Sequence, residues 1–296
     1  MPTARKKTAA AKARRVPVGP FTVSNELPVF FITGMCILES PRLLEQVGRE
    51  LKRVFARAKV RWILKCSFDK ANRSSLRSYR GRSMSQTLEV FAQVKKDLGV
   101  PMITDVHEPR QAELAAKVVD VLQIPAFLCR QTDLLVAAGK TGRTINIKKG
   151  QFMAPWDITN AVRKVESTGC RKILLTERGA SFGYGNLVVD MRSLEIMSRT
   201  GYPVVFDATH SCQLPGALGD ATGGQREFAS LLARSAAAAG VAGISMETHP
   251  NPERALSDGP NSVYLRDVAG IIRSVAAIDR LVKKERQAAR AGRKGA

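Results

Sequence analysis

No stretch of the 296-residue chain approaches the roughly 18 consecutive apolar residues that a membrane-spanning helix needs. The first residues also lack the apolar core of a secretory leader, so neither a membrane span nor export is expected. The five cysteines (Cys36, Cys66, Cys129, Cys170, Cys212) are odd in number and follow no close-pair spacing. That fits a reducing cytoplasm, with any special cysteine acting alone. No GxGxxG follows the first apolar run and no GxxxxGK[ST] occurs, so dinucleotide-binding and P-loop folds lack their usual sign. The body does not interleave aromatic with basic residues as single-strand nucleic-acid binders do.

Positive charge is what the chain has in excess. Lys and Arg number 47 against 26 Asp and Glu, a net +21 that first suggests nucleic acid. The distribution argues otherwise. Residues 1–15 hold six Lys or Arg and no acid, and residues 280–296 hold seven with one acid, so the ends supply +12 and the body +9. Both ends are Ala-rich and basic and read as disordered extensions, residues 1–16 and 285–296, flanking a single domain over 17–284. They suit solubility, weak polyanion contact or attraction of anionic substrates. An Arg-rich organellar transit segment is a further reading of the first fifteen residues. No specific nucleic acid is expected as a partner.

Between the ends the chain alternates. VFFITGM (29–35) reads as a buried strand ending at Gly34, and the helix after it has apolar residues at Leu43, Leu44, Val47, Leu51, Val54 and Phe55. RWILKCSF, VPMITDV, DVLQIP, RTINIKK, RKILLTERG, PVVFDATH and VAGISMETH continue the strands, each followed by a helical segment. The second helix stops at Gly99 and the last spans about Leu265 to Lys284. Eight strand-then-helix units in about 255 residues, with polar residues at the strand ends, predict an α/β fold, a (β/α)8 TIM barrel with its chemistry at the C-terminal face. A doubly wound sheet is the competitor. Residues 17–26 are expected to cap the barrel bottom.

The strand exits collect chemistry. KCSFDKANRSSLRSYRG (65–81) is rich in cationic and hydroxyl donors and looks like a phosphate site rather than a basic surface loop. Lys65, Lys70, Lys148 and Arg178, with Arg73 and Arg130, form a cationic set suited to phosphate and carboxylate. Cys36, His210, Glu247 and Asp258 offer one sulfur, one nitrogen and two carboxylates that could share one divalent ion, without choosing among Fe, Zn, Mn and Co. Each also has a plainer reading: Cys36 as a buried thiol, His210 as a hydrogen-bonded core or orienting histidine, Glu247 and Asp258 as partners of rim arginines. GASFGYGN (179–186) and LPGALGDATGGQ (214–225) read as mobile lids or as ordinary surface loops.

The motifs GMCILES, KCSFDKANRSS, SYRG, TDVHEP, QIPAFLCRQTDL, NIKKGQF, TERGASFGYGNLVVDMR, FDATHS, GGQREF, ETHPNP and SDGP, from about Phe21 to Lys283, resemble the 3-deoxy-D-manno-octulosonate 8-phosphate synthases. The related enzyme of aromatic synthesis, which uses erythrose 4-phosphate, typically has a KPRTS-like motif where this chain has KANRSS. The resemblance implies condensation of phosphoenolpyruvate with D-arabinose 5-phosphate, for lipopolysaccharide, by a barrel usually assembled as a homotetramer. It also implies the metal-dependent branch, which carries Cys where this chain has Cys36, with Cys36, His210, Glu247 and Asp258 as ligands of one divalent ion per subunit. Lys65, Lys148 and Arg178 would hold phosphoenolpyruvate beside Gln123 and the Pro125–Ala126 backbone. Lys70 would complete that pocket or assist proton transfer. Asn72 and Asp105 would orient the sugar hydroxyls. Arg73 and Ser74 would grip the sugar phosphate, with Arg130 and Gln131 from a neighbouring subunit; Ser67 and Gln213 join the substrate-binding set. Gly185 departs from the Asn or Asp of many relatives, which puts loop rigidity in doubt but not the chemistry.

Overall fold

Eight short runs rich in Val, Ile and Leu become the strands, and every residue in them is buried. They are β1 (Phe30–Ile37), β2 (Trp62–Ser67), β3 (Met102–Asp105), β4 (Val121–Ile124), β5 (Thr144–Lys148), β6 (Ile173–Glu177), β7 (Val204–Asp207) and β8 (Gly243–His249). Burial on both faces is what a parallel sheet wrapped by helices requires. Each strand pairs in parallel with the next, and β8 pairs with both β7 and β1, so the sheet closes and has no edge. Closure excludes the doubly wound alternative. The structure is a computed structural model, and it describes residues 11–72, 75–216 and 223–292.

The helices follow in turn: α1 (Pro41–Ala58), α2 (Met84–Leu98), α3 (Pro109–Ala116), α4 (Thr132–Lys140), α5 (Ile158–Glu166), α6 (Arg192–Ser198), α7 (Ala229–Ala238) and α8 (Val268–Gly292). Local chemistry sets their ends. Ser40 accepts the Leu43 N–H at 3.2 Å at the start of α1, with Pro41 in the first turn. Glu108 and Gln111 form a capping box on α3. Apolar faces of the helices close over the strands, with Phe55 stacked on Trp62 at 5.1 Å between ring centroids. Among the described residues no helix is long and apolar enough to cross a membrane.

Three boundaries differ from those read in the sequence. β1 does not stop at Gly34 but continues to Ile37, with a register shift against β2 between those residues. A Cβ on Gly34 would lie 2.1 Å from the Lys65 carbonyl oxygen, so only glycine lets the strands approach that closely there. The second difference is at the C-terminus. Residues 285–292, expected to be disordered, are helical, because Arg286 donates to the Ala239 and Gly240 carbonyls (2.7 and 3.2 Å) at the end of α7. Those carbonyls are the unpaired acceptors of a helix C-terminus, where a cation is favoured.

The third difference is at the start of the described chain: residues 11–16, expected to be disordered, are attached to the body, and Val16 is buried in a strand. Ala11 and Arg14 donate backbone hydrogen bonds to the Arg199 and Gly201 carbonyls, and the Arg14 guanidinium lies 4.6 Å from the Tyr202 ring centroid. A hairpin of Val16–Val18 and Phe21–Val23 follows. Thr144 donates to Pro17 O at 2.6 Å, and Asn25 accepts the Val204 N–H at 2.9 Å. Thr144 and Val204 begin β5 and β7, so this segment caps the bottom of the barrel, as expected. Arg286→Ala should cost about 1–2 kcal/mol through loss of charge-assisted bonds. Chemical denaturation measures this, and an unchanged midpoint would show that the extension of α8 contributes nothing.

Candidate active site

The C-terminal ends of the strands carry charges that are almost all buried. Asp105, at the end of β3, is one node. Ser67 donates to its Oδ2 at 2.9 Å, Lys70 Nζ approaches the same oxygen at 3.4 Å, and Gln123 donates to Oδ1. The chain of bonds runs on sideways. Asn146 donates to Gln123 Oε1 at 2.9 Å, and Thr176 donates to Asn146 Oδ1 at 2.7 Å. This polar belt crosses β2 to β6 and locks the side chains at the barrel mouth. Burial opposes ionisation of Asp105, but Lys65, Lys70 and Lys148 outweigh it and hold the carboxyl below the usual carboxylate range. Sequence alone assigns no role to Asn146 and does not single out Thr176. Polar residues inside apolar strands are the signal that could have found them.

Asp207, at the end of β7, is a second node. Its Oδ2 lies 2.7 Å from Lys148 Nζ and 2.8 Å from His210 Nδ1. Its Oδ1 accepts the His210 N–H at 3.0 Å. Burial favours neutral His210, yet Asp207 more than compensates and raises its pKa. The imidazole is thereby fixed with Nε2 directed at Glu247 Oε1 (3.7 Å) and Asp258 Oδ2 (3.6 Å). This geometry fits both readings of His210: it is buried and hydrogen-bonded to Asp207, and its other ring nitrogen faces two carboxylates.

Glu247, on β8, is the third node. Lys65 Nζ donates to its Oε1 at 3.2 Å, to Ser67 Oγ at 2.8 Å and to Cys36 O at 3.2 Å. Lys70 Nζ is 4.0 Å from the same Glu247 oxygen. The bulge of β1 brings Cys36 beside it. Cys36 Sγ lies 3.0 Å from Asp258 Oδ2, and ligand atoms of Cys36, Glu247 and Asp258 all fall within 4.8 Å of one another. A thiol and two carboxylates so close, faced by one histidine nitrogen, form a donor set that suits a divalent ion. Burial, then Asp258 and Glu247, push the Cys36 thiol well above its ordinary pKa, against the weaker pull of Lys70 and Lys65. No arginine on the rim pairs with Glu247 or Asp258 among the described residues.

Above these nodes opens a cavity of about 410 Å³. Lys70, Asn72, Asp105, Gln123, Pro125, Ala126, Lys148, Arg178, His210, Gln213 and Asp258 all line it. His107 lines it too, edge-on to Phe68; the sequence places it with Asp105 at the exit of the third strand but gives it no role. Lys65, Ser67, Cys36 and Glu247 are buried and do not line it. Arg178 donates to Gln213 and has a second terminal nitrogen buried without a partner, and burial lowers its pKa against the pull of Asp207, Asp258 and Glu177. Arg178 lines the cavity, and a guanidinium there is suited to an anion. Arg130 and Gln131 are exposed and do not line the cavity. Arg73 and Ser74 lie outside the described residues.

The segment carrying KANRSS is pinned at its ends. Asp69 bridges to Gly81, Lys70 N–H donates to Arg80 O at 3.0 Å, and Arg80 forks onto the Asp69 carboxylate at 3.0 and 2.5 Å. Gly81 has φ +118°, and a Cβ there would meet Phe68 O at 2.1 Å. Of the two Gly-rich loops, one is held by Ala180–Ser181 pairing with Leu187–Val188 and the other by Gln213–Leu214 pairing with Gly223–Gly224. The lid reading of the second loop falls partly on residues 217–222, outside the described residues. A Cβ on Gly185 would meet only Pro215 O, at an ordinary 3.7 Å, so this site does not require glycine.

The profile of the DAHP synthetase I family matches residues 12–283. The chain belongs to that family. It is 52% identical over 271 residues to the 2-dehydro-3-deoxyphosphooctonate aldolase of Citrifermentans bemidjiense, covering 92% of this chain and 99% of that protein. It is 53% identical over 272 residues to the protein of the same name from Bradyrhizobium diazoefficiens, covering 92% and 96%. The family match contains every node described above and leaves residues 1–11 and 284–296 outside it. Because a metal takes the thiolate and not the thiol, divalent-ion binding should release about one proton from Cys36, and affinity should rise with pH. Calorimetric titration in buffers of different ionisation heat measures this. Proton release unchanged in Cys36→Ser would show that the thiol is not a ligand.

Proposed function

We propose that the chain condenses phosphoenolpyruvate with D-arabinose 5-phosphate and water to give 3-deoxy-D-manno-octulosonate 8-phosphate and inorganic phosphate, a step toward lipopolysaccharide. The observation that carries the reading is the meeting, at the barrel mouth, of a cavity lined by Lys70, Lys148 and Arg178 with the adjoining Cys36–Glu247–Asp258 cluster faced by His210, in a chain 52% identical to a 2-dehydro-3-deoxyphosphooctonate aldolase. Lys148 and Arg178 clamp the phosphate and carboxylate of phosphoenolpyruvate, with Lys65 below them and Gln123 and the Pro125–Ala126 backbone beside them. Asn72 and Asp105 orient the sugar hydroxyls. The sugar phosphate falls to Arg73 and Ser74, with Arg130 and Gln131 supplied by a neighbouring subunit of a cytoplasmic homotetramer. Exposure of Arg130 and Gln131 outside their own cavity supports that last assignment.

C3 of phosphoenolpyruvate attacks the sugar aldehyde, water adds at C2, and the tetrahedral centre expels phosphate by C–O cleavage. Negative charge persists on the phosphate and carboxylate throughout, so cations fixed in a buried site stabilise every stage without reorganising. Lys70, between Asp105 and Glu247, either completes the anion clamp or relays a proton to the reacting atoms. Cys36, His210, Glu247 and Asp258 would hold one divalent ion, Fe, Zn, Mn or Co, which when bound orients and polarises the aldehyde. Cys36 forms no covalent adduct in this scheme, because no step calls for one.

Incubation with both substrates and a divalent ion should release phosphate, with arabinose 5-phosphate exceeding erythrose 4-phosphate in kcat/KM. Silence with metal supplied would sink the reaction, and the reverse sugar preference would sink the acceptor. Cys36→Ser should bind metal more weakly and lose at least about tenfold in turnover, and a chelator should inactivate the parent. Full activity after verified metal removal would refute the metal's role.

A further inference from the structure

The loop that carries Asp258 is held in an unfavourable backbone conformation. Asp258 has φ +51°, in the left-handed region that residues with a Cβ seldom occupy. Such a residue persists only when its surroundings fix it. On the downstream side the fixing is local: the Asp258 carbonyl accepts Asn261 N–H, Ser262 N–H and Ser262 Oγ at 3.0–3.1 Å. On the upstream side it comes from a distant part of the chain. Glu39 Oε1 accepts the Leu256 N–H at 3.1 Å, across 217 residues of sequence.

The Glu39 carboxylate also faces β8. His249 Nδ1 accepts the Asn251 N–H at 3.0 Å, so the ring proton is on Nε2, and Nε2 faces Glu39 Oε1 at 3.5 Å. The Glu39 side chain is only 14% exposed. Neither Glu39 nor His249 lines the substrate cavity. Glu39 stands three residues after Cys36 at the exit of β1, so one strand end reaches the same loop twice: the Cys36 thiol against Asp258 and Ser257, and the Glu39 carboxylate against Leu256.

We propose that Glu39 is a positioning residue that, braced by His249, sets the Asp258 carboxylate for a divalent ion. The inference rests on the reading of Cys36, His210, Glu247 and Asp258 as a metal site. Glu39 touches neither the ion nor substrate; it fixes the backbone from which one ligand projects, as outer groups do in metal sites generally.

The experiment measures affinity for Co²⁺ by competition with a chromophoric chelator, on the full chain, for the parent and Glu39→Ala, Glu39→Asp and Glu39→Gln. Thermal unfolding is recorded with and without the ion. Glu39→Ala should bind about 10- to 100-fold more weakly. Glu39→Asp, which keeps the charge but withdraws the oxygen, should also lose affinity and serves if the alanine variant misfolds. Glu39→Gln keeps an acceptor for Leu256 N–H and should stay closer to the parent. The metal-dependent gain in melting temperature should shrink in the same order. Parent-like affinity in Glu39→Asp and Glu39→Ala overturns the inference, as does a melting-temperature loss that is equal with and without metal. A parent that binds no Co²⁺ overturns the metal reading instead, and this inference with it.

Discussion

Buried charge at the mouth of a closed apolar barrel is the constraint on which the site depends. Lys65, Lys70, Asp105, Lys148, Arg178, Asp207, His210 and Glu247 all lie at or near strand ends and are at most 9% exposed. An ion taken out of water costs several kcal/mol unless a partner and hydrogen bonds replace the solvent. Three carboxylates, Asp105, Asp207 and Glu247, supply those partners, and each is approached by cationic or donor groups from more than one strand. The pairings fix side chains that would otherwise be long and mobile. A site assembled this way meets an incoming anion with its cations already in place, which is where electrostatic preorganisation resides.

The balance is not uniform across the mouth. On the β2, β3 and β5 side, lysines meet carboxylates. On the β1 and β8 side, Cys36 and Asp258 approach to 3.0 Å, offset by His210, Lys70 and Lys65. The first side is poised for anionic substrate and the second for a cation. His210 belongs to both, since Asp207 holds one ring nitrogen beside Lys148 while the other faces Glu247 and Asp258.

The barrel was legible because two simple signals coincide in the sequence: apolar runs short enough for strands, and polar residues placed where those runs end. The same signals picked out Lys65, Lys70, Asp105, Lys148, Arg178 and the four candidate metal ligands, since a charged residue that closes an apolar barrel strand stands at the face where the chemistry gathers. What stayed hidden depends on contacts between distant strands. Asp207 closes its strand as conspicuously as Asp105, but its hold on Lys148 spans two strands and cannot be seen along one. Thr176 looks like an ordinary strand residue until Asn146 is beside it. The bulge in β1 depends on how closely Gly34 meets Lys65, and the helical end of α8 depends on carbonyls 47 residues earlier in the chain.

Glu39 shows the same limit in sharper form. Glu39 immediately precedes Ser40, which caps α1, where acids are favoured. Its carboxylate instead faces backward, to β8 and the loop beyond it. A single strand end thus works in two directions: Gly34 and the bulge bring Cys36 to the cluster, and Glu39 draws the Asp258 loop onto that cluster. Strand, bulge and loop must be in register together, so the site is a property of barrel closure between β8 and β1 and not of any one motif.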